Sequence, residues 1–128
     1  MIDVYPGHEQ LANISGQSQG TGGSPYNVLL DLAKLGASFP LVGAGLVGQD
    51  ALGEYIIDDC RSHNIDPSFI SVSPGTSTSY TDVMTEIEGG RRTFFYILGA
   101  GGGTTPHKHL VELDKDKYLN FSKPNLKS

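Results

Sequence analysis

The sequence predicts an α/β domain: a parallel β-layer with flanking helices, followed by a small β-sheet formed by a hairpin. Three observations lead there. Apolar residues recur at helical spacing from Val28 to Leu35 and again from Leu52 to Cys60. The apolar stretch FPLVGAGLVG separates those two segments, and helix, strand, helix in close succession is the pattern of a parallel layer. Farther on, YTDVMTEI and RRTFFYIL flank Glu88-Gly89-Gly90, the pattern of two strands joined by a glycine-containing turn.

The elements follow in order. MIDVYPGHEQ offers only Ile2 to Tyr5 as strand-like residues before Pro6-Gly7 breaks them. An α/β domain normally leads with a full buried strand, so the chain reads as a fragment or as missing its beginning. Residues 9–21 are polar, with isolated Leu11 and Ile14, and suit a short exposed strand. From Pro25 the set Val28, Leu29, Leu32 and Leu35 has helical spacing, and Gly36 stands where a helix C-terminal glycine belongs. Phe39 to Gly45 reads as a buried strand. A second amphipathic helix follows, with Asp50 placed to cap it and Leu52, Tyr55, Ile56 and Cys60 on its apolar side. Ser71 to Ser79 is a Ser/Thr/Pro/Gly loop. In the second strand of the hairpin, alternation sends Phe94 and Tyr96 to one face and Phe95 to the other. Beyond it come a glycine run, a short helix from Pro106 and a stretch of alternating charge.

Composition narrows the function. The chain of 128 residues is one domain by length, with 38% hydrophobic and 18% charged residues. A net charge of −5 with nine scattered Lys and Arg gives no footprint for nucleic acid. No apolar run reaches membrane-spanning length and no charged-then-apolar leader opens the chain, so no membrane partner is expected. The lone Cys60 excludes an internal disulfide framework and fits a reducing, cytoplasmic compartment. Its place in an apparent helix suits a small packed thiol.

Gly22-Gly23-x-x-x-Asn27 is the best local signal. One reading is a helix start with Ser24 as cap. The other is a ligand cradle, because a helix N-terminus offers unpaired N–H groups and glycine lets a ligand come close. It is not a P-loop, since no Gly-Lys-Ser/Thr follows, and the glycine spacing does not fit a dinucleotide fingerprint. GAGGG at 99–103 reads as a flexible connector. His107 and His109, two apart, point to opposite sides, and His8 and His63 are remote in sequence, so no metal site is expected. Asp58-Asp59 reads as a solvated helix face, and Arg91-Arg92, beside the hairpin turn, as solvated or in contact with an anionic ligand. Asp3 closes a short apolar segment; it is a turn residue or, at a strand's carboxyl end, an acceptor for two neighbouring hydroxyls.

Taken together these residues resemble the N-terminal half of a PfkB/ribokinase-family sugar kinase. The shared motifs run in order over about residues 2–117: MIDV with Asp3, a polar lid segment, GGSPYN opening a helix that ends at KLGA, LVGQDALGEYI, then TSTSYTDVMTEIEGGRRTFFYILGA and TPHKHL. The resemblance implies a ribokinase-like fold fragment occupying 1–128, with lid segments at about 4–21 and 77–97 and the ATP-binding C-terminal half absent. It implies transfer of the ATP γ-phosphoryl group to a sugar hydroxyl with Mg²⁺. Asp3, Gly22, Gly23 and Asn27 would hold the sugar's hydroxyls, and Phe94 or Tyr96 would cover its apolar face. No catalytic residue and no metal ligand is expected in this chain, which would be inactive alone. Sugar and ATP are the implied partners, with a homodimer formed through the lid. A nucleoside kinase of the same fold and a non-catalytic sugar-binding or dimerisation module are the alternatives. The sequence departs from the family at Leu29, where a small residue is usual, in the longer spacing from Gly36 to Gly48, and at Leu98-Gly99-Ala100-Gly101, where the family's Arg and Asn are missing. KPN at 123–125 resembles a segment that normally follows several more strands and helices.

Overall fold

The structure, a computed structural model, describes residues 1–102. The expectations for Pro106 onward, including His107, His109 and residues 123–125, lie outside the described residues. The element order is α1 (Ser24–Lys34), β1 (Leu41–Gly48), α2 (Ala51–Ser62), β2 (Ile65–Ser73), β3 (Tyr80–Thr85), β4 (Arg92–Ile97) and a short 3₁₀ turn, Ala100–Gly102.

Helix α1 ends in a motif that its sequence dictates. Gly36 takes φ +71, where a Cβ would be strained. Its N–H donates to Ala33 O at 3.1 Å and that of Ala37 to Leu32 O at 3.1 Å. This paired pattern satisfies carbonyls that would otherwise be left open at the helix end. The start differs from expectation. Ser24 is already helical, the cap position belongs to Gly23, and no side chain caps the helix. Pro25 occupies the first turn, where its missing N–H costs no helical bond.

Strands β1 and β2 pair in parallel, with α2 as the crossover between them. β1 runs from Leu41 to Gly48, shifted from the expected Phe39–Gly45. β2 was not expected at all. Its local signal is broken by Asp66-Pro67-Ser68: the Asp66 carboxylate accepts from the Ser68 N–H at 2.9 Å, and the register slips between Val42 and Ala44. Proline cannot donate to a ladder, and a bulge is where a strand tolerates it. Asp50 caps α2 as expected, accepting from the Gly53 N–H at 2.9 Å.

The core is small. Leu41, Cys60 and Ile65 are buried together, and Tyr26, Leu29, Leu32, Ala33, Ala37 and Ile70 pack around them. Both helices therefore close on the β1–β2 pair by their apolar stripes. Burial pushes the Cys60 thiol up, which keeps it protonated and suits packing rather than nucleophilic chemistry.

The hairpin forms a separate antiparallel sheet in the register Tyr80↔Ile97 through Thr85↔Arg92. Ile2 lies beside its turn end, donating to Thr85 O and accepting from the Ile87 N–H, each at 2.9 Å. Ile2 also bridges Ile14, so one residue ties three distant segments and is itself buried. Neither Ile2–Tyr5 nor residues 9–21 forms a continuous strand; isolated bridges stand where strands were expected.

Candidate functional site

A cleft of about 840 Å³ opens between the hairpin and the N-terminal parts of the two helices. One wall is the segment Gln17–Gly23 with Asn27 of α1. Leu52, Tyr55 and Ile56 of α2 contribute apolar surface. The hairpin closes the third side through Thr78–Val83, Arg92 and Phe94.

Four of the six residues singled out from the sequence meet here. Gly22, Gly23 and Asn27 line the cleft, as does Phe94. Nothing lies within 4 Å of where a Cβ would sit on Gly22 or Gly23, so both backbones face open space. Asn27 donates its own N–H to Gly23 O at 2.9 Å, which closes the first helical turn and leaves its side chain exposed. Asp3 and Tyr96 are not brought to this cleft. Asp3 is exposed beside the Ile2 bridge, and Tyr96 is exposed two residues beyond Phe94.

Two charged residues line the cleft, Asp82 and Arg92. The Arg92 guanidinium sits 5.9 Å from the centre of the Phe94 ring, within the range of a cation–π contact. Arg91 instead pairs with Glu86 at 2.8 Å. Among the described residues no group of three or more His, Cys, Asp or Glu is placed to hold a metal ion.

The hairpin is anchored at its base by a knot of hydrogen bonds around Asp50 and Thr78. Thr78 Oγ1 donates to Asp50 Oδ1 at 2.6 Å and accepts from the Gly48 N–H at 2.9 Å. The Thr78 N–H donates to Asp50 Oδ2 at 2.8 Å. These bonds from Thr78 Oγ1 and N–H, with that from the Gly53 N–H, hold the Asp50 carboxyl below its ordinary range. The returning strand joins the same point, with the Gly99 N–H on Ser79 Oγ at 3.0 Å and the Ala100 N–H on Ser77 O at 2.7 Å. Cβ atoms on Gly48 or Gly99 would collide with backbone of residues 76–78. The close crossing therefore requires glycine at both positions. Reading the sequence placed Thr78 in a loop and missed this anchor, since its partners lie 28 and 30 residues away.

Asp59 was the other omission. Asp58 is solvated, as expected, beside Arg61. Asp59 is turned inward, where it accepts from Tyr26 Oη and from Thr21 Oγ1, the latter at 3.3 Å. Burial, and then the bond to Asp59, push the Tyr26 phenol up, so it stays protonated as a donor. The available signal was spacing: Asp59 follows Leu52 by seven and Ile56 by three, which puts it on the inner face of α2.

The parallel pair with its crossover helix, the second helix and the small antiparallel sheet define a ribokinase-like α/β fold. Ribokinase from Giardia lamblia superimposes with a TM-score of 0.71 at 24% identity, covering 87% of this chain and 35% of that one. A nucleoside kinase from Methanocaldococcus jannaschii matches with a TM-score of 0.65 at 19% identity, over 77% of this chain and 32% of that one. The profile of the pfkB family of carbohydrate kinases matches residues 1–127, and the chain belongs to that family. A probable fructokinase-6, chloroplastic, from Arabidopsis thaliana is 30% identical over 98 residues, 75% of this chain. The chain spans about a quarter of the length of that relative.

Proposed function

We propose that these residues form the acceptor-sugar side of a kinase that moves the γ-phosphoryl group of ATP to a sugar hydroxyl. The observation that carries this reading is the composition of the cleft. The Gly22-Gly23 loop opens an uncapped helix N-terminus, and it shares one cavity with Asn27 and Phe94. Backbone N–H groups and the Asn27 amide suit hydroxyls, while Phe94 suits the apolar face of a ring and excludes water. Asp3 and Tyr96 remain part of the proposed site as residues that a closed lid would bring in. Phosphoryl transfer rests on positioning and charge stabilisation. The described residues supply positioning for the acceptor; ATP and Mg²⁺ fall to the family's C-terminal half.

Both faces of the hairpin carry exposed aromatics, Phe94, Phe95 and Tyr96, which supports pairing of the lid with a second copy. The single buried thiol supports a reducing, cytoplasmic setting. Phe94 could equally stack on a nucleobase, so a nucleoside acceptor is the second reading.

Steady-state kinetics of the full-length protein on a panel of hexoses, pentoses and nucleosides separates the two. Asn27→Ala is expected to raise the acceptor KM roughly 2–13-fold, the cost of one hydrogen bond to a neutral hydroxyl, with the ATP KM unchanged. An unaltered acceptor KM removes Asn27 from the site, and turnover of nucleosides alone favours the second reading.

A further inference from the structure

The Gly22-Gly23 loop raises a physical question. A cradle must hold its N–H groups in fixed places to be worth its ordering entropy. Yet this loop has no side chains of its own, and open space lies where Cβ atoms would pack. Gly23 adds a backbone conformation, φ +90, that a free chain does not favour uniquely. The two glycines themselves contribute no packing to hold it.

Asp59 is the group in position to do so. Its Oδ2 accepts from Thr21 Oγ1, immediately before the glycines, and from Tyr26 Oη, three residues after them. One carboxylate oxygen thus grips the loop on both flanks. Asp59 sits on α2, whose inner face is fixed by buried Cys60, so the grip is to a rigid element. Asp59 does not line the cleft itself. We infer that Asp59 is a positioning residue for the acceptor cradle, acting through Thr21 and Tyr26 to set where the Gly22 and Gly23 N–H groups meet the substrate.

This inference rests on the proposed acceptor site, and its test separates the two. In the ligand-free full-length protein, amide exchange is followed at Asn27, whose N–H is bonded to Gly23 O, and over α2. Asp59→Leu is expected to speed exchange at Asn27 at least several-fold while leaving α2 close to the parent. Asp59→Asn, which keeps an acceptor oxygen, is expected to stay near the parent. Thr21→Val, which removes a single half-buried bond, gives an intermediate effect and serves should Asp59→Leu fail to fold. With D-fructose and D-ribose as probes, Asp59→Leu is expected to raise the acceptor KM roughly tenfold. The ATP KM should not change, and Asp59→Asn should restore the acceptor KM. Unchanged exchange at Asn27 in both Asp59→Leu and Thr21→Val overturns the inference whatever the substrate. So does an unchanged acceptor KM in Asp59→Leu when Asn27→Ala raises it. If exchange rises as expected but neither Asn27→Ala nor Asp59→Leu touches the acceptor KM, the loop is held by Asp59 as inferred, and it is the acceptor-site reading that fails.

Discussion

Replacing Thr78 by valine tests whether the base of the hairpin is held by a hydroxyl or merely by packing. The two side chains are close in volume, so the change exchanges an O–H for a methyl with little effect on space. Thr78 is only 3% exposed, and its oxygen is the acceptor for the Gly48 N–H at 2.9 Å. Backbone of Thr76 to Thr78 lies close against Gly48, and Thr78 Oγ1 is the acceptor the structure gives that amide. A stranded buried N–H costs about 1–3 kcal/mol, and Asp50 loses a donor as well, so about 2 kcal/mol is a working lower figure. With an m-value of about 2 kcal/mol/M in urea, the unfolding midpoint should fall by about 1 M at unchanged m. Thr78→Ser is the control. It keeps the hydroxyl and loses one methyl, which costs about 0.8 kcal/mol by burial alone. The expected order is parent, then serine, then valine. If valine proves as stable as serine, methyl packing dominates and the anchor described around Asp50 is incorrect.

Four further outcomes follow from the same geometry. The Asp50 carboxyl is held below its ordinary value of about 3.9 by Thr78 and Gly53. Its contribution to stability is therefore fully present above that value and is lost as pH falls through the depressed one; acid unfolding of Asp50→Asn should lack this component. Gly48→Ala and Gly99→Ala should each destabilise by several kcal/mol in thermal melts, since their Cβ atoms strike backbone. Gly22→Ala enters open space and should leave the melt nearly unchanged while raising the acceptor KM. Amide exchange across Thr81 to Tyr96 should slow on adding sugar or on dimerisation, with little change at Leu32 and Ile56, because a two-stranded hairpin is marginal on its own. Equal protection of hairpin and helices in the free monomer would make the hairpin a static cover.

Much of the fold was legible because its signals are local. Gly36 ends α1 through bonds to Leu32 and Ala33, all within one turn. Asp50 caps α2 three residues away, and the glycines at 89 and 90 turn the hairpin between strands rich in β-formers. The cradle residues Gly22, Gly23 and Asn27 were visible for the same reason, being neighbours on one helix start. What could not be read is what depends on distant partners. β2 carries Pro67 in its interior and exists because β1 supplies the other half of its hydrogen bonds. The expected strands around Ile2 and Ile14 are single bridges, Ile2 to Ile14 and Ile2 to Glu86, set by partners distant in sequence.

By itself, then, the sequence determined the periodic helices, their ends, the hairpin and the order of motifs that marks a pfkB-family chain. Only the tertiary structure decided which polar residues matter beyond the cradle. Asp59 looked like half of a solvated acidic pair until α1 and the loop before it came to lie against α2. Thr78 looked like one hydroxyl among many until Asp50 and Gly48 closed on it. The reason is physical. Capping and turn formation are satisfied within a few residues and leave a local signature. A carboxylate that reaches 28 to 38 residues along the chain is selected by where folding places its donors, and no spacing rule encodes that distance.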